Sequence, residues 1–285
     1  MLHRRLINLL PPMTSLHDIT LVTISYNSAE IISQHIESLN LAAISENARP
    51  NWIVVDNDSN DGTPSLIGGK YQGVKVIANA KNIGFGSAAN QGIKAARTRF
   101  VMILNPDTVL SIDALSTLRR ALIDDNKAAM AGPNVSDRPM TGTKSVEWIV
   151  GAAMMMDTTK MNSIGYFDEN IFLYGEESDL CIRTIDAGFR ILHCHGAHMP
   201  HSEGESSTRT DKTLYFLFWH MGKSHAYLSV KHPFHFSRIP SYLRKQKRRM
   251  FFADLFSNRK RYISARAKID GATSTTAQPS TLLTL

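Results

Sequence analysis

The stretch Ile19-Thr-Leu-Val-Thr-Ile-Ser-Tyr26, followed by Asn27-Ser28 and then by Ile31, Ile32, Ile36 and Leu39, decides the class of fold. Its first eight residues are β-branched and apolar enough for a buried strand, and the later apolar residues suit a helix behind a turn. Working outward, Trp52-Ile-Val-Val55, Val74-Lys-Val-Ile-Ala78 and Phe100-Val-Met-Ile-Leu104 read as further strands. Lys81-Asn-Ile-Gly-Phe-Gly86 leads into a helix expected to run through Arg97. Strands interleaved with helices predict an α/β domain around a parallel sheet, in which ligands bind beyond the carboxyl ends of the strands. The polar clusters sit at those ends: Asp56-Asn-Asp-Ser-Asn-Asp-Gly-Thr63, Asn79 and Asn105-Pro106-Asp107.

Downstream, a helix is expected over Leu110 to Asp124, a strand over Ala128 to Gly132, a flexible loop over Arg138 to Lys144 and an apolar segment over Glu147 to Met156. Glu176 to Ala187 reads as a helix with acidic residues in its first turn, stopped by Gly188. In a strand, His193 and His195 share one face, where buried packing is expected over a separate metal site. The 285 residues, 43% hydrophobic and 20% charged, exclude a collagen-like, low-complexity or wholly disordered chain. No apolar run approaches the roughly 18 residues of a membrane-spanning helix. Two cysteines, Cys181 and Cys194, are too few for a disulfide framework and point to a reducing, cytosolic compartment.

The net charge of +7 is unevenly spread. Lys231 to Lys268 carries twelve Lys or Arg against Asp254 alone, a net +11, so the remainder of the chain carries −4. Seven Phe and Tyr residues are interleaved there, among them Phe251, Phe252 and Phe256. Such a segment suits an anionic-membrane foot, a nucleic-acid arm, or a solvated helix whose aromatics pack on the body. The aromatics lack any RNA-recognition signature, and no nucleic-acid partner is expected. The organisation expected is a flexible leader over residues 1–18, a catalytic domain over 19–230, a basic aromatic helical extension over 231–270 and a disordered tail over 271–285.

Taken in order, Thr23-Ile-Ser-Tyr-Asn-Ser28, Val54 to Thr63, Asn82-Ile-Gly-Phe-Gly-Ser-Ala-Ala-Asn-Gln-Gly92, Leu104-Asn-Pro-Asp-Thr108 and Phe167 to Cys181 resemble the inverting family 2 glycosyltransferases of the GT-A fold. The Asn-Pro-Asp variant is similar to the rhamnosyltransferase-like branch. That resemblance implies a Rossmann-like, mostly parallel central sheet flanked by helices. It also implies transfer of a sugar, rhamnose or another hexose, from a nucleoside-diphosphate sugar to a hydroxyl of a glycan or a polyprenyl-diphosphate-linked acceptor. The setting would be bacterial cell-surface polysaccharide synthesis, in the cytoplasm or at the inner face of its membrane.

Carried over residue by residue, Ser25, Tyr26, Asn27, Asp56 and Asn57 match positions that hold the nucleotide, and Asn82, Gly84 and Phe85 belong to the loop closing over it. Asp107 matches the second acid of a metal-binding Asp-x-Asp motif; Asn105 stands where the first acid would be. Mg²⁺ or Mn²⁺ is the implied cofactor, with His201 completing its shell and His198 as second choice. Glu177 matches the general base, usually an Asp, and Asp179 is the reserve candidate. The departures at Asn105 and Glu177 leave a nucleotide-sugar-binding pseudoenzyme as the rival reading, and a nucleic-acid-binding protein using the basic tail as another.

Overall fold

The computed structural model of the chain describes residues 16–45, 51–70, 73–136, 138, 140–200 and 210–274. Among the described residues eight strands form one sheet in the order β3-β2-β1-β4-β7-β5-β8-β6. They are β1 (Ile19–Ser25), β2 (Asn51–Asp56), β3 (Lys75–Ala78), β4 (Phe100–Leu104), β5 (Ala128–Asn134), β6 (Thr143–Val146), β7 (Ala153–Asp157) and β8 (Arg190–His198). β1 to β4 are mutually parallel, as expected, whereas β7 runs antiparallel to both β4 and β5, with Leu104 opposite Ala153.

Alternation along the central strands loads both faces of the sheet, so β1, β2, β4 and β7 are apolar almost throughout. Leu21, Trp52, Val54, Phe100, Met102 and Leu104 face α1 (Ile32–Ser45), α2 (Thr63–Lys70) and α4 (Ile112–Asp124), which contribute Ile36, Ile67 and Leu118 to that core. Val22, Ile53, Val55, Val101 and Ile103 face α3 (Phe85–Ala95), α5 (Thr158–Ile164) and α6 (Glu176–Asp186), from which Ile93, Met161 and Leu180 pack. Three more helices follow: α7 (Asp211–Lys231), α8 (Ile239–Leu255) and α9 (Arg259–Thr273). Leu214, Tyr215, Trp219, Ile263 and Ala267 form a separate core between α7 and α9. The two helices meet backbone to backbone where Gly222 lies on Lys268 and Gly271 on Trp219, contacts that leave no room for a Cβ at either glycine.

Several boundaries differ from the sequence expectation. Leu16 is buried and Asp18 pairs with Arg119 at 2.7 Å, so residues 16–18 belong to the packed domain and not to a leader. Thr63, expected to close the loop 56–63, instead opens the helix Thr63–Lys70, and Asp61 Oδ1 accepts from its N–H at 3.1 Å where the helix starts. The end of the stretch expected as a flexible loop, Thr143 onward, is recruited as an edge strand by β8. The helical extension starts at Asp211, since Lys231 is the last residue of α7, and α9 continues to Thr273 because Gly271 is buried against α7. The described residues contain no helix long and apolar enough to cross a membrane.

Candidate functional site

The parallel strands β1 and β2 end side by side, and their last residues are bonded to each other. Ser25 Oγ donates to Asp56 Oδ1 at 2.9 Å; Ser59 adds its hydroxyl to the same oxygen at 2.6 Å and its N–H to Oδ2 at 3.0 Å. Three donors leave the buried Asp56 carboxylate with acceptor capacity for one more N–H or O–H. Tyr26 follows with its ring half exposed, and Asn27, at φ 48°, ties the two loops together by accepting from Asn60 N–H at 2.8 Å. Asp61 is spent on the backbone N–H groups of Ala29 and Thr63, so it holds a turn in place.

Asn57 is buried and anchors the next loop. Its Nδ2 donates to Asn82 Oδ1 at 2.9 Å and to Gly84 O at 3.2 Å, while its Oδ1 accepts from Ile83 N–H at 3.1 Å and Asn79 Nδ2 at 3.2 Å. Gly84 has φ 89°, and a Cβ there would lie 2.5 Å from Phe172 O, so only glycine fits. Phe85 N–H donates to that same Phe172 oxygen at 2.9 Å. The loop 82–86 is thereby fastened between β2 and the segment that leads into α6.

The turn Asn105-Pro106-Asp107 and the residue Glu177 both come close to one short piece of backbone, Gly151-Ala152. Asn105 N–H donates to Ala152 O at 2.8 Å, and Thr108 Oγ1 reaches the same oxygen at 3.4 Å. At the preceding residue, Gly151, an added Cβ would meet the Glu177 Cβ at 3.5 Å. Behind the turn, buried His35 bonds Thr108 O through Nδ1 at 2.7 Å and Thr23 Oγ1 through Nε2 at 3.1 Å. Burial holds the His35 ring below the usual histidine range. Burial likewise pushes the Glu177 carboxyl above the ordinary carboxylate range, and it pushes neighbouring Glu176 up to about 8, with the Glu177 charge adding to the effect.

Asp179 is treated quite differently by its surroundings. Its wholly buried side chain receives Arg183 Nε at 2.8 Å, Lys231 Nζ at 2.6 Å and His232 Nε2 at 2.8 Å. Burial acts against its charge, yet the bonds from Lys231, His232 and Arg183 prevail and hold it below the usual range. Lys231 also binds Asp168 at 2.5 Å, which Tyr227 Oη reaches at 2.7 Å. Ser224 Oγ donates to Leu173 O at 2.9 Å, and Phe172 stacks on His220 with ring centroids 4.4 Å apart. α7 therefore clamps the whole segment from Asp168 to Asp179, and Glu177 rides on it.

Among the described residues no group of three or more His, Cys, Asp or Glu stands ready to hold a metal ion. One carboxylate, Asp107, with the Asn105 amide beside it, nevertheless fits Mg²⁺ or Mn²⁺, which takes one or two protein oxygens and leaves its other positions to phosphate and water. His201 lies outside the described residues; Pro200, just before it, accepts from Val109 N–H at 3.1 Å, beside the turn. His198 bonds Ser136 O at 3.0 Å. His193 and His195 share one face, ring centroids 4.5 Å apart. Gly151, Ala152, Phe172, Arg183, Lys231 and His232 were not expected from the sequence to bear on the site. Lys231 and His232 open the basic segment 231–268, and no local signal distinguishes them from the rest of it.

The model of glycosyl transferase family 2 matches residues 20–190. A Mycobacterium tuberculosis protein described as N-acetylglucosaminyl-diphospho-decaprenol L-rhamnosyltransferase is 25% identical over 263 residues, covering 74% of this chain and 84% of its own. The rhamnosyltransferase WbbL of Escherichia coli is 22% identical over 255 residues, covering 74% and 92%. In fold, the chain is similar to the mannosyltransferase PcManGT of Pyrobaculum calidifontis, solved with GDP-Man and Mn²⁺. That likeness has a TM-score of 0.59 at 16% identity, over 93% of this chain and 75% of the other. It is also similar to Staphylococcus aureus TarS residues 1–349 with UDP-GlcNAc, with a TM-score of 0.55 at 18% identity over 90% and 89%.

Proposed function

Because the chain belongs to glycosyl transferase family 2, we propose that it is an inverting, metal-dependent hexosyltransferase acting on a nucleoside-diphosphate sugar. Rhamnose is the first choice of sugar and a polyprenyl-diphosphate-linked glycan the first choice of acceptor, by likeness to the relatives named as rhamnosyltransferases. The pseudoenzyme and nucleic-acid readings are not favoured. The observation that carries the proposal is the meeting of Glu177 and the Asn105-Pro106-Asp107 turn at Gly151-Ala152, where Ala152 O accepts from Asn105 N–H and a Cβ on Gly151 would come within van der Waals distance of Glu177. It sets a basic group and a diphosphate-side turn in one frame, as a single in-line displacement needs.

In this reading Tyr26, Asp56 and the loop 82–86 hold the nucleotide, with Asp56 accepting from the base. Asp107, with Asn105 and His201 as further ligands, would hold the divalent cation, which when bound neutralises charge on the diphosphate leaving group. Glu177 takes the proton from the acceptor hydroxyl as that oxygen attacks the anomeric carbon, and the diphosphate departs from the opposite face. Its raised affinity for protons, caused by burial, makes it a stronger base than an ordinary carboxylate. Asp179, bonded to Arg183, Lys231 and His232, is assigned to positioning, so the base role goes to Glu177 alone. The reaction is placed on the cytoplasmic side of the membrane, with the enzyme bound peripherally.

The test is a panel of nucleotide sugars with Mg²⁺ or Mn²⁺ and a polyprenyl-diphosphate glycan, following nucleoside diphosphate release and the anomeric configuration of the product. Glu177→Gln is expected to retain donor binding and to lower turnover about a hundredfold or more. A variant that keeps full turnover would overturn the base assignment.

A further inference from the structure

Between α7, α8 and α9 lies a groove of about 840 Å³, lined on its polar side by Arg248, Arg249, Lys260 and Arg261 and on its apolar side by residues that include Phe252 and Phe256. We propose that this groove and its rim are a docking surface for an anionic phospholipid bilayer, taking a lipid phosphate among the four cations. The assignment rests on the peripheral-membrane reading above and gives it a specific address.

Three observations carry it. The first is charge complementarity: among the described residues no carboxylate ion-pairs with Arg248, Arg249, Lys260 or Arg261, whereas neighbouring Arg259 is matched by Asp211 at 2.5 Å. Burial, and then the charges of Arg249 and Lys245, hold nearby Lys268 below the usual lysine range, as expected where positive charge is crowded without counter-charge. Secondly, the corner between α8 and α9 projects apolar side chains from beside these cations. Phe251 is 64% exposed, Leu255 63% and Phe256 75%. Cations with protruding aromatic and aliphatic side chains match the headgroup layer and the acyl boundary beneath it. Thirdly, Gln246 Oε1, on a side chain that is 97% buried, lines the groove and has no hydrogen-bond partner among the described residues, leaving it open to a headgroup hydroxyl or ammonium donor.

The charge-matched comparison lies on the same helix. Arg244 and Lys247 are exposed cations of α8 that do not line the groove. Full-length protein would be sedimented with vesicles of phosphatidylcholine and phosphatidylglycerol, and of phosphatidylcholine alone, at low and high salt. Wild-type protein is expected to pellet with the anionic vesicles and to be released by salt. Arg249→Gln with Lys260→Gln should weaken partitioning about 25-fold, about fivefold for each cation. Arg244→Gln with Lys247→Gln, with the same net charge, should weaken it less than fivefold. Both double variants should retain wild-type turnover on a water-soluble acceptor, which confirms folding. Equal loss in the two variants would mean diffuse attraction and overturn the groove while leaving peripheral binding intact. Failure of the wild-type protein to pellet with anionic vesicles would overturn both, and neither result bears on the transferase assignment. Tight binding of mixed-sequence RNA, lost only in the groove variant, would make this a nucleic-acid face and also overturn the proposal.

Discussion

Replacing Lys231 by Met tests how the catalytic segment is held, because this one ammonium bonds both Asp168 and Asp179. Removing one partner of a buried ion pair costs about 3 to 5 kcal/mol, largely through the charge left behind. Two features of the site reduce the loss here. The Lys231 side chain is 28% exposed, and Asp179 keeps Arg183 and His232 while Asp168 keeps Tyr227. An expected cost of about 2 to 3 kcal/mol remains, which lowers Tm by about 5 to 10 °C in a domain of this size. The bonds from Lys231 help hold both carboxyls below their unfolded values, Asp168 well below, so their stabilisation is complete above about pH 4 and is lost as pH falls through the folded values. Acid unfolding of the Met variant should therefore begin at higher pH than that of wild type. Thermal and acid unfolding followed by circular dichroism would measure both shifts. Steady-state kinetics should show a lower kcat with the donor KM little changed, and Lys231→Arg should recover most of it. A loss below about 0.5 kcal/mol, the scale of a surface ion pair, would refute the idea that α7 clamps the segment bearing Glu177.

Asp107→Ala should abolish the gain in nucleoside diphosphate affinity that Mg²⁺ or Mn²⁺ confers, read by titration calorimetry with and without chelator; unchanged metal dependence would reduce Asn105-Pro106-Asp107 to a turn. The acid limb of kcat is expected above the ordinary carboxylate range, since burial raises Glu177 and the base works only when ionised; a pH–rate profile falling off only near pH 4 would contradict this. Gly84→Ala forces a side chain into a left-handed backbone 2.5 Å from Phe172 O, at a cost of about 1 to 3 kcal/mol. It should weaken donor binding, so unaltered affinity would show that the loop 82–86 does not close on the nucleotide.

Much of this was legible because three of the four parallel strands, β1, β2 and β4, are buried on both faces and announce themselves as apolar runs. Strand ends follow from where Asp56, Asn79 and Asn105 interrupt the apolar residues. The helix at Glu176 was equally plain from its acidic first turn and Gly188. What stayed hidden depends on partners distant in sequence. β6 is polar and exposed, and only pairing with β8 makes it a strand. Asp179 stood in reserve behind Glu177 as the base, since its partners cannot be read from its own helical turn. Lys231 and His232, more than fifty residues away, decide that both Asp179 oxygens are already taken by partners within the fold. The role of Ala152 is invisible locally, because it is exerted through a carbonyl oxygen.

The reversed direction of β7 has a consequence for how a reaction centre can be furnished. In an all-parallel sheet only the segments leaving the strands reach the ligand-binding edge; those entering arrive on the far side. Had β7 run parallel to β4, Ala152 would sit at the opposite edge, about 17 Å away by the length of a five-residue strand. Running backwards, it brings its entrance to the place where β4 makes its exit. The edge thus acquires a second supply of backbone, arriving inbound, and Glu177 is seated against that inbound piece while Asp107 stands on the outbound one.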